Sequence, residues 1–483
     1  MNQIKFSQDQ QEFLKEMEKK LSSHFDQNLS KDIISKIPQF WEFLIGCEKS
    51  LNDRHFPLEK DRYDKEYGFA LYLLNHEIPS SLTNLLKRMY KMPDSSIDFD
   101  KLIKDIEDEG WLSGDGSLYA ISKYAALDPG WFISLLDYLW YKYLDPKGVH
   151  DFKEANIIIP AHSEPLPTNI SIAVIGDWGT GVWEDGNEKY CPAQLVIDGL
   201  KNLEKQPDII IHLGDVYYAG TENEELKNFV NMLPDEYKNK VFTLNSNHEM
   251  YNGANGYFNE ALSSSFLTQQ SETSYFAIET NDWIIVALDS AYYDESNLYL
   301  KGALTNSKVQ NNSQIKFLTE MANKQKQLIL MTHHNGITYD ASELNNPLWD
   351  QVIGALGGAA PDVWYWGHIH NGIVYKEDLD ITNSYKTIGG NPSKLRCCGH
   401  AAIPFGNASG LNVDGKVIDD VLYYAHTPMN APNPDPTQKL RVLNGFAILE
   451  INNKELFETF YEVSNTSRTP IKKWSSVPDA VNI

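Results

Sequence analysis

Five short polar clusters, each closing an apolar run, constrain this chain more than its length or composition does. In order they are Gly176-Asp177-Trp178-Gly179, Gly214-Asp215-Val216-Tyr217-Tyr218, Asn245-Ser246-Asn247-His248-Glu249, Thr332-His333-His334 and Gly367-His368-Ile369-His370. Runs such as Ile209-Ile210-Ile211-His212-Leu213 are short and rich in β-branched residues, as buried strands are. A strand of an α/β sheet that ends in Asp or His presents that group at the edge where such folds build their sites. Asp, Asn, Tyr and His ligate hard or borderline metal ions rather than soft ones. Such ends in one register predict a site for two metals.

The chain of 483 residues is too long for one ordinary core, and its texture predicts two domains. Residues 1–160 read as helical, because apolar residues recur at three and four, as at Phe13, Met17 and Leu21 and at Phe132, Leu135, Leu136 and Leu139. No motif with chemistry occurs there; His24, His55, His76 and His150 are scattered. The Pro-rich stretch 161–169 reads as a linker. Over 170–463, strands first alternate with helices near 192–204 and 222–232, and then follow one another alone. That order predicts an α/β chain with a β-sandwich and helices outside it. Residues 464–483 read as a tail.

The formal net charge of -24 argues against binding to nucleic-acid polymers or anionic membranes. It leaves room for a small phosphate substrate, because a local metal charge overrides the distant field. Met1 to Ser7 lacks the apolar region of a signal peptide, and no stretch reaches the roughly 18 apolar residues of a membrane span. The four cysteines have no zinc-finger spacing and read as reduced thiols. A cytoplasmic protein is the expectation.

Taken together, the clusters resemble the calcineurin-like metallophosphoesterase superfamily, and within it the purple acid phosphatases. That pattern runs Asp-x-Gly, Gly-Asp-x-x-Tyr, Gly-Asn-His-(Asp/Glu), a strand ending in His, and Gly-His-x-His. All five blocks occur in order between Asp177 and His370, with one departure in the third. The resemblance implies a four-layer α-β-β-α sandwich over 170–463, preceded by the all-helical N-terminal domain. It implies that Asp177, Tyr218 and His370 bind a first metal, that Asn247, His333 and His368 bind a second, and that Asp215 bridges both. His248 would be the general acid or phosphate contact, oriented by Glu249 or another carboxylate. Two metal ions per chain are implied, Fe3+ at the first position with Zn2+, Mn2+ or Fe2+ at the second.

The chemistry expected is hydrolysis of a phosphate ester by a metal-activated water, first of all a phosphomonoester. Phosphodiesters, including cyclic nucleotides, and phosphoproteins are the alternatives. A metal-binding scaffold without catalysis is the non-enzymatic reading. The substrate would be a phosphorylated small molecule or phosphoprotein, and the helical domain is available to a protein partner.

Two departures stand out. Ser246 replaces the Gly that precedes Asn-His, and would be strained if that position needs an unusual backbone angle. Gly179 stands where many superfamily members carry a His ligand, which throws the first metal onto a tyrosine. Tyr218 has the family spacing, and Tyr217 competes with it but reads as a packing aromatic. His334 reads equally as a structural histidine or a substrate contact. Cys397-Cys398-Gly399-His400 reads as a loop, with His400 as a substrate contact if that loop is a lid. Gly389-Gly390-Asn391-Pro392 reads as a turn, and Trp178, Trp183, Tyr251 and Tyr257 as rim or core aromatics.

Overall fold

A computed structural model describes residues 146–477 except 155–156, 161–165, 180–190, 308–311, 402–410, 414–415, 429–439 and 465–466, together with 134, 137, 138, 141 and 142. The helical reading of residues 1–145 therefore lies almost wholly outside the described residues, as does 161–165 of the predicted linker, while 146–160, also read as helical, hold a 3-10 turn at Pro146–Gly148 and a strand at Ile158–Pro160. The chain divides into two compact units, Met1–Leu144 with Ala431–Thr437, and Asp145–Asn430 with Gln438–Ile483. The account below concerns the second.

Two mixed sheets form its frame. The larger contains β1 (Ile158–Pro160), β5 (Phe276–Glu279), β6 (Trp283–Leu288), β7 (Gln327–Thr332), β8 (Val363–Trp366), β9 (Gly372–Tyr375), β10 (Lys394–Cys398) and β11 (Val421–Tyr424). Their order across the sheet is β1-β5-β6-β7-β8-β10-β9-β11. The smaller contains β2 (Asn169–Ile175), β3 (Ile209–His212), β4 (Val241–Thr243), β12 (Gly445–Asn452), β13 (Glu455–Ser464) and β14 (Ser467–Ser475), in the order β14-β13-β12-β2-β3-β4. Strands β2, β3 and β4 run parallel, as do β6, β7 and β8.

The strands read as continuous apolar runs because both faces are covered. On β6 and β7, Ile285, Ala287, Ile329 and Met331 face an inter-sheet core with Ile172, Val174 and Ile211 of the smaller sheet. Alternate residues Ile284, Val286, Leu328 and Leu330 face outward, onto α2 (Ser313–Ala322) and α3 (Leu348–Ala355) through Phe317, Leu318, Trp349 and Val352. Helix α1 (Pro192–Lys201) opens with Pro at its first position, where the missing N–H costs nothing. Its Gly199 backbone lies against Val463 and Phe446, so α1 covers the outer face of the smaller sheet. The segment predicted as a helix near 222–232 is broken into an α turn at Glu222–Glu224, a π-helical stretch at Glu225–Phe229 and a 3-10 turn at Val230–Met232.

Three boundaries differ from the sequence reading. Strand β1 precedes the predicted linker yet pairs with β5, because Ile158 and Ile159 complete the edge of the larger sheet. The predicted tail forms β14, which pairs with β13 and carries Trp474 onto the inter-sheet core. Cys397 and Cys398 lie in β10, not in a loop. Consecutive strand residues face opposite ways, so Cys397 joins the outer core and Cys398 the inter-sheet core.

The inter-sheet layer also holds an ion pair. Arg396 of β10 meets Glu458 of β13 through Nε at 3.0 Å and Nη2 at 3.1 Å. Tyr365 donates to the same carboxylate at 2.7 Å, and the guanidinium lies 5.3 Å from the Trp474 ring. Among the described residues, no helix is long and apolar enough to cross a membrane.

Candidate metal centre

Register brings the predicted ligands together. Ile175, His212 and Thr243 lie abreast at the ends of β2, β3 and β4. Thr332 and Trp366 lie abreast at the ends of β7 and β8. Asp177, Asp215, Asn247, His333 and His368 each follow within a few residues, at the same edge. The backbone there is unusual: φ is 59° at Asp177, 74° at Asp215, 66° at His368 and 44° at His370. Left-handed non-glycine backbone costs roughly 1–3 kcal/mol per residue and gathers at functional sites. Gly214, with φ 99°, is needed between two of these turns, since a Cβ there would lie 2.8 Å from the Ser246 Cβ.

Asp177 is clamped by backbone. Its Oδ1 accepts from the His368 N–H at 2.8 Å and its Oδ2 from the His370 N–H at 3.2 Å. Glycines wall the carboxylate in: a Cβ at Gly367 would come within 2.6 Å of Oδ1, and one at Gly399 within 2.1 Å of Oδ2. Burial, with the charge of Asp215 added, pushes the Asp177 pKa up to about 7. Burial would raise Asp215 as well, but His333, His248 and His370 outweigh it and hold that carboxyl well below its ordinary range.

His333 tests whether the site fits a metal ion. Burial lowers its pKa to about 3, so its ring is neutral. Its Nδ1–H donates to the Leu213 carbonyl at 2.7 Å, which leaves a lone pair on Nε2. That Nε2 faces Asn247 Oδ1 at 2.8 Å, Asp215 Oδ1 at 3.2 Å and His368 Nδ1 at 3.2 Å. Asn247 Oδ1 and Asp215 Oδ1 turn lone pairs on that nitrogen with no proton of His333 between them. A cation resolves this, and a ring nitrogen bonded to a backbone carbonyl is the usual support of a metal-ligating histidine. Two carboxylates, an amide oxygen and imidazole nitrogens are the donor set of zinc, iron or manganese. Two trios, Asp177 with Asp215 and His333, and His333 with His334 and His368, bring ligand atoms within 4.8 Å of one another. The residues present therefore fit metal ions.

Tyr251, which the sequence offers only as a rim or core aromatic, fixes the Asn247 amide. Its hydroxyl accepts from Asn247 Nδ2 at 3.0 Å, which turns Oδ1 toward His333 and His368. The helical i, i+4 spacing was its only signal. The tyrosine hydroxyl on His370 is that of Tyr217, 2.6 Å from Nε2. Its ring also stacks on His248, with centroids 4.0 Å apart, so Tyr217 is more than a packing aromatic. Tyr218, which has the family spacing, reaches the site through its backbone: its carbonyl accepts from His248 Nδ1 at 2.7 Å.

That bond, and not Glu249, orients His248. Glu249 instead accepts from the Val216 N–H at 3.0 Å and contacts the Ser246 hydroxyl. Burial and Asp215 push its pKa up to about 8, so its carboxyl group keeps a proton at neutral pH. Ser246 is unstrained, in extended backbone with φ -132°.

His334 donates from Nε2 to the Tyr299 carbonyl at 2.6 Å, and its Nδ1 accepts from Ser290 at 2.8 Å. Both nitrogens are thus held by the fold rather than by a substrate. His400 is fully buried between Gly372 and Gly445, against Phe460. It packs the core under the site, and the lid reading fails with it. Trp178 is likewise core, its Nε1 donating to the Asn228 carbonyl at 2.7 Å.

The calcineurin-like phosphoesterase family profile matches residues 170–372. No curated protein matches the chain. Among solved structures, GAP50, the anchor in the inner membrane complex of Plasmodium, is 13% identical with a TM-score of 0.39, covering 64% of this chain and 88% of that one. PhoD is 10% identical with a TM-score of 0.41, covering 64% of this chain and 70% of that one. A metallophosphoesterase from Sphaerobacter thermophilus is 10% identical with a TM-score of 0.26, covering 61% and 89%.

Proposed function

We propose that this chain, whose residues 170–372 match the calcineurin-like phosphoesterase family, is a metallophosphoesterase that hydrolyses phosphomonoesters at a dinuclear centre. The observation that carries the proposal is the convergence of acceptors on His333 Nε2. Asp177 and His370 would hold the first ion, Asn247, His333 and His368 the second, and Asp215 would span both. Ions bound there would neutralise phosphoryl oxygens and make a water more acidic.

The tyrosine hydroxyl on His370 supports the purple acid phosphatase subset, with Fe3+ at the first position and Zn2+, Mn2+ or Fe2+ at the second. Tyr217 takes the part that the spacing gave to Tyr218. The chain's own residues supply the rest. His248, whose Nδ1–H donates to the Tyr218 carbonyl, would as the imidazolium give its second proton, on Nε2, to the departing alkoxide and be left as the neutral ring. The Tyr217 and Tyr251 rings, 4.0 and 4.9 Å from the His248 ring, keep it in that orientation.

The test is turnover of para-nitrophenyl phosphate against its bis ester by protein loaded with iron, zinc or manganese. The monoester is expected to react at least about ten-fold faster, a difference of about 1.4 kcal/mol in barrier. A faster bis ester makes the chain a phosphodiesterase. Metal uptake without turnover of either ester, or of a phosphopeptide, makes it a scaffold.

A further inference from the structure

Where the family pattern has glycine, Ser246 places a hydroxyl at the centre of the site. It is fully buried, and its Oγ lies within hydrogen-bond reach of Asp215 Oδ1, of Glu249 Oε2 and of the His248 N–H at 3.0 Å. A hydroxyl has one proton and two lone pairs, and three partners use all of them. The backbone N–H of His248 can only donate, so Oγ accepts there. The proton of Ser246 then goes to one carboxylate and the remaining lone pair faces the other. Asp215 has another oxygen, Oδ2, which lies 3.4 Å from His370 Nε2. Glu249 is anchored independently by backbone N–H groups of Val216 and Asp215, at 3.0 and 3.4 Å. Gly214 leaves room for the serine Cβ.

We infer that Ser246 is a positioning residue that fixes the rotation of the Asp215 carboxylate, with Glu249 behind it as the anchor. Its Oγ holds Oδ1 on the side of Asn247 and His333, which directs Oδ2 toward His370. One carboxylate is thereby aimed at two groups of ligands before any ion arrives. A glycine at this position has no such contact, so the chain adds a fixing point that the family pattern lacks. The inference rests on Asp215 spanning the two ions.

The test compares Ser246→Ala, Ser246→Thr and Asp215→Asn, alone and as the Ser246→Ala/Asp215→Asn double variant. Zn2+ titration calorimetry of the chelator-treated full chain gives affinity and stoichiometry, and para-nitrophenyl phosphate gives kcat and KM. Ser246→Ala is expected to weaken metal binding by about ten-fold, as loss of a ligand's hydrogen-bond partner does. It is expected to lower kcat with KM within two-fold, and Ser246→Thr is expected to restore most of both. In the Asp215→Asn background the further loss should vanish, because the serine acts through that carboxylate. A pure helix-capping role predicts the same metal-affinity loss in both backgrounds, or a lower melting temperature with wild-type affinity, and either outcome overturns the inference. Wild-type protein that takes up two ions, with Ser246→Ala unchanged, overturns this inference alone. Wild-type protein that takes up fewer than two overturns the dinuclear reading and this inference with it.

Discussion

The two sheets enclose two polar clusters, and the clusters solve burial in opposite ways. Arg396 and Glu458 face each other with opposite charge, and every strong group has a partner. Burial works against Arg396, but Glu458 and Tyr365 outweigh it and raise its pKa. Burial likewise works against Glu458, but Arg396 outweighs it and keeps that pKa low. Both stay charged and need nothing more. At the strand ends, acid meets acid and imidazole meets imidazole. Asp177 is pushed up to about 7 and His333 down to about 3, each away from its charged form. The first cluster is complete within the protein, and the second becomes complete with cations. The left-handed turns occur at Asp177, Asp215, His368 and His370 but not at Arg396 or Glu458. Strain and unbalanced polarity together distinguish a site from a structural pair.

The contrast can be broken from either side. The largest effect is expected at the incomplete cluster: Asp215→Asn should lower kcat on para-nitrophenyl phosphate by about 10^3-fold or more, roughly 4 kcal/mol of barrier. At the complete cluster, Arg396→Met should cost about 3 kcal/mol or more of stability in urea, since it leaves Glu458 buried and unpaired. Metal content and KM should not change. Replacing Glu458 as well, in Arg396→Met/Glu458→Leu, should recover much of that loss.

A third effect sharpens the assignment inside the site. Ferric-loaded protein should show a visible charge-transfer band that Tyr217→Phe removes and Tyr218→Phe retains. Loss with Tyr218→Phe alone would restore the spacing-based assignment.

The fourth effect concerns pH and is smallest near neutrality. His400 titrates near 3 in the fold because burial disfavours its charge, against about 6.5 when unfolded. Below pH 6.5 the unfolded chain therefore takes up the proton that the folded one refuses. Stability contributed by this residue is full above pH 6.5 and falls between 6.5 and 3, by up to about 1.4 kcal/mol per pH unit. His400→Leu should flatten the acid limb of the urea stability profile by that much. An unchanged limb would show that the histidine is not neutral in the fold.

Much of this was legible in the sequence, and the reason is local. Ile209 to Leu213 can only be a buried strand, and the Gly-Asp after it ends that strand at the sheet edge. Seven predicted ligands thus came from strand ends, of which the structure gathers six by their side chains, while the hydroxyl beside His370 is that of Tyr217. What stayed hidden depends on distant chain segments. Arg396 and Glu458 are 62 residues apart, and nothing local pairs them. Strand β14 breaks the apolar-polar alternation at Ile471-Lys472-Lys473-Trp474, where its register against β13 shifts, and reads as strand only once β13 is there to pair it. Tyr217 and Tyr218 are adjacent, so spacing alone cannot say which ring turns inward. Ser246 reads in the sequence only as a replaced glycine, because its hydroxyl partners, Asp215 and Glu249, become visible only in the fold.

The most direct test of the central claim is metal stoichiometry measured with activity. Chelator-treated protein should regain phosphatase activity as Zn2+ or Fe3+ with Zn2+ is added, reaching its plateau at two ions per chain. Asp215→Asn should bind more weakly and remain inactive under the same titration. A plateau at one ion, or full activity without added metal in the presence of chelator, would contradict the account.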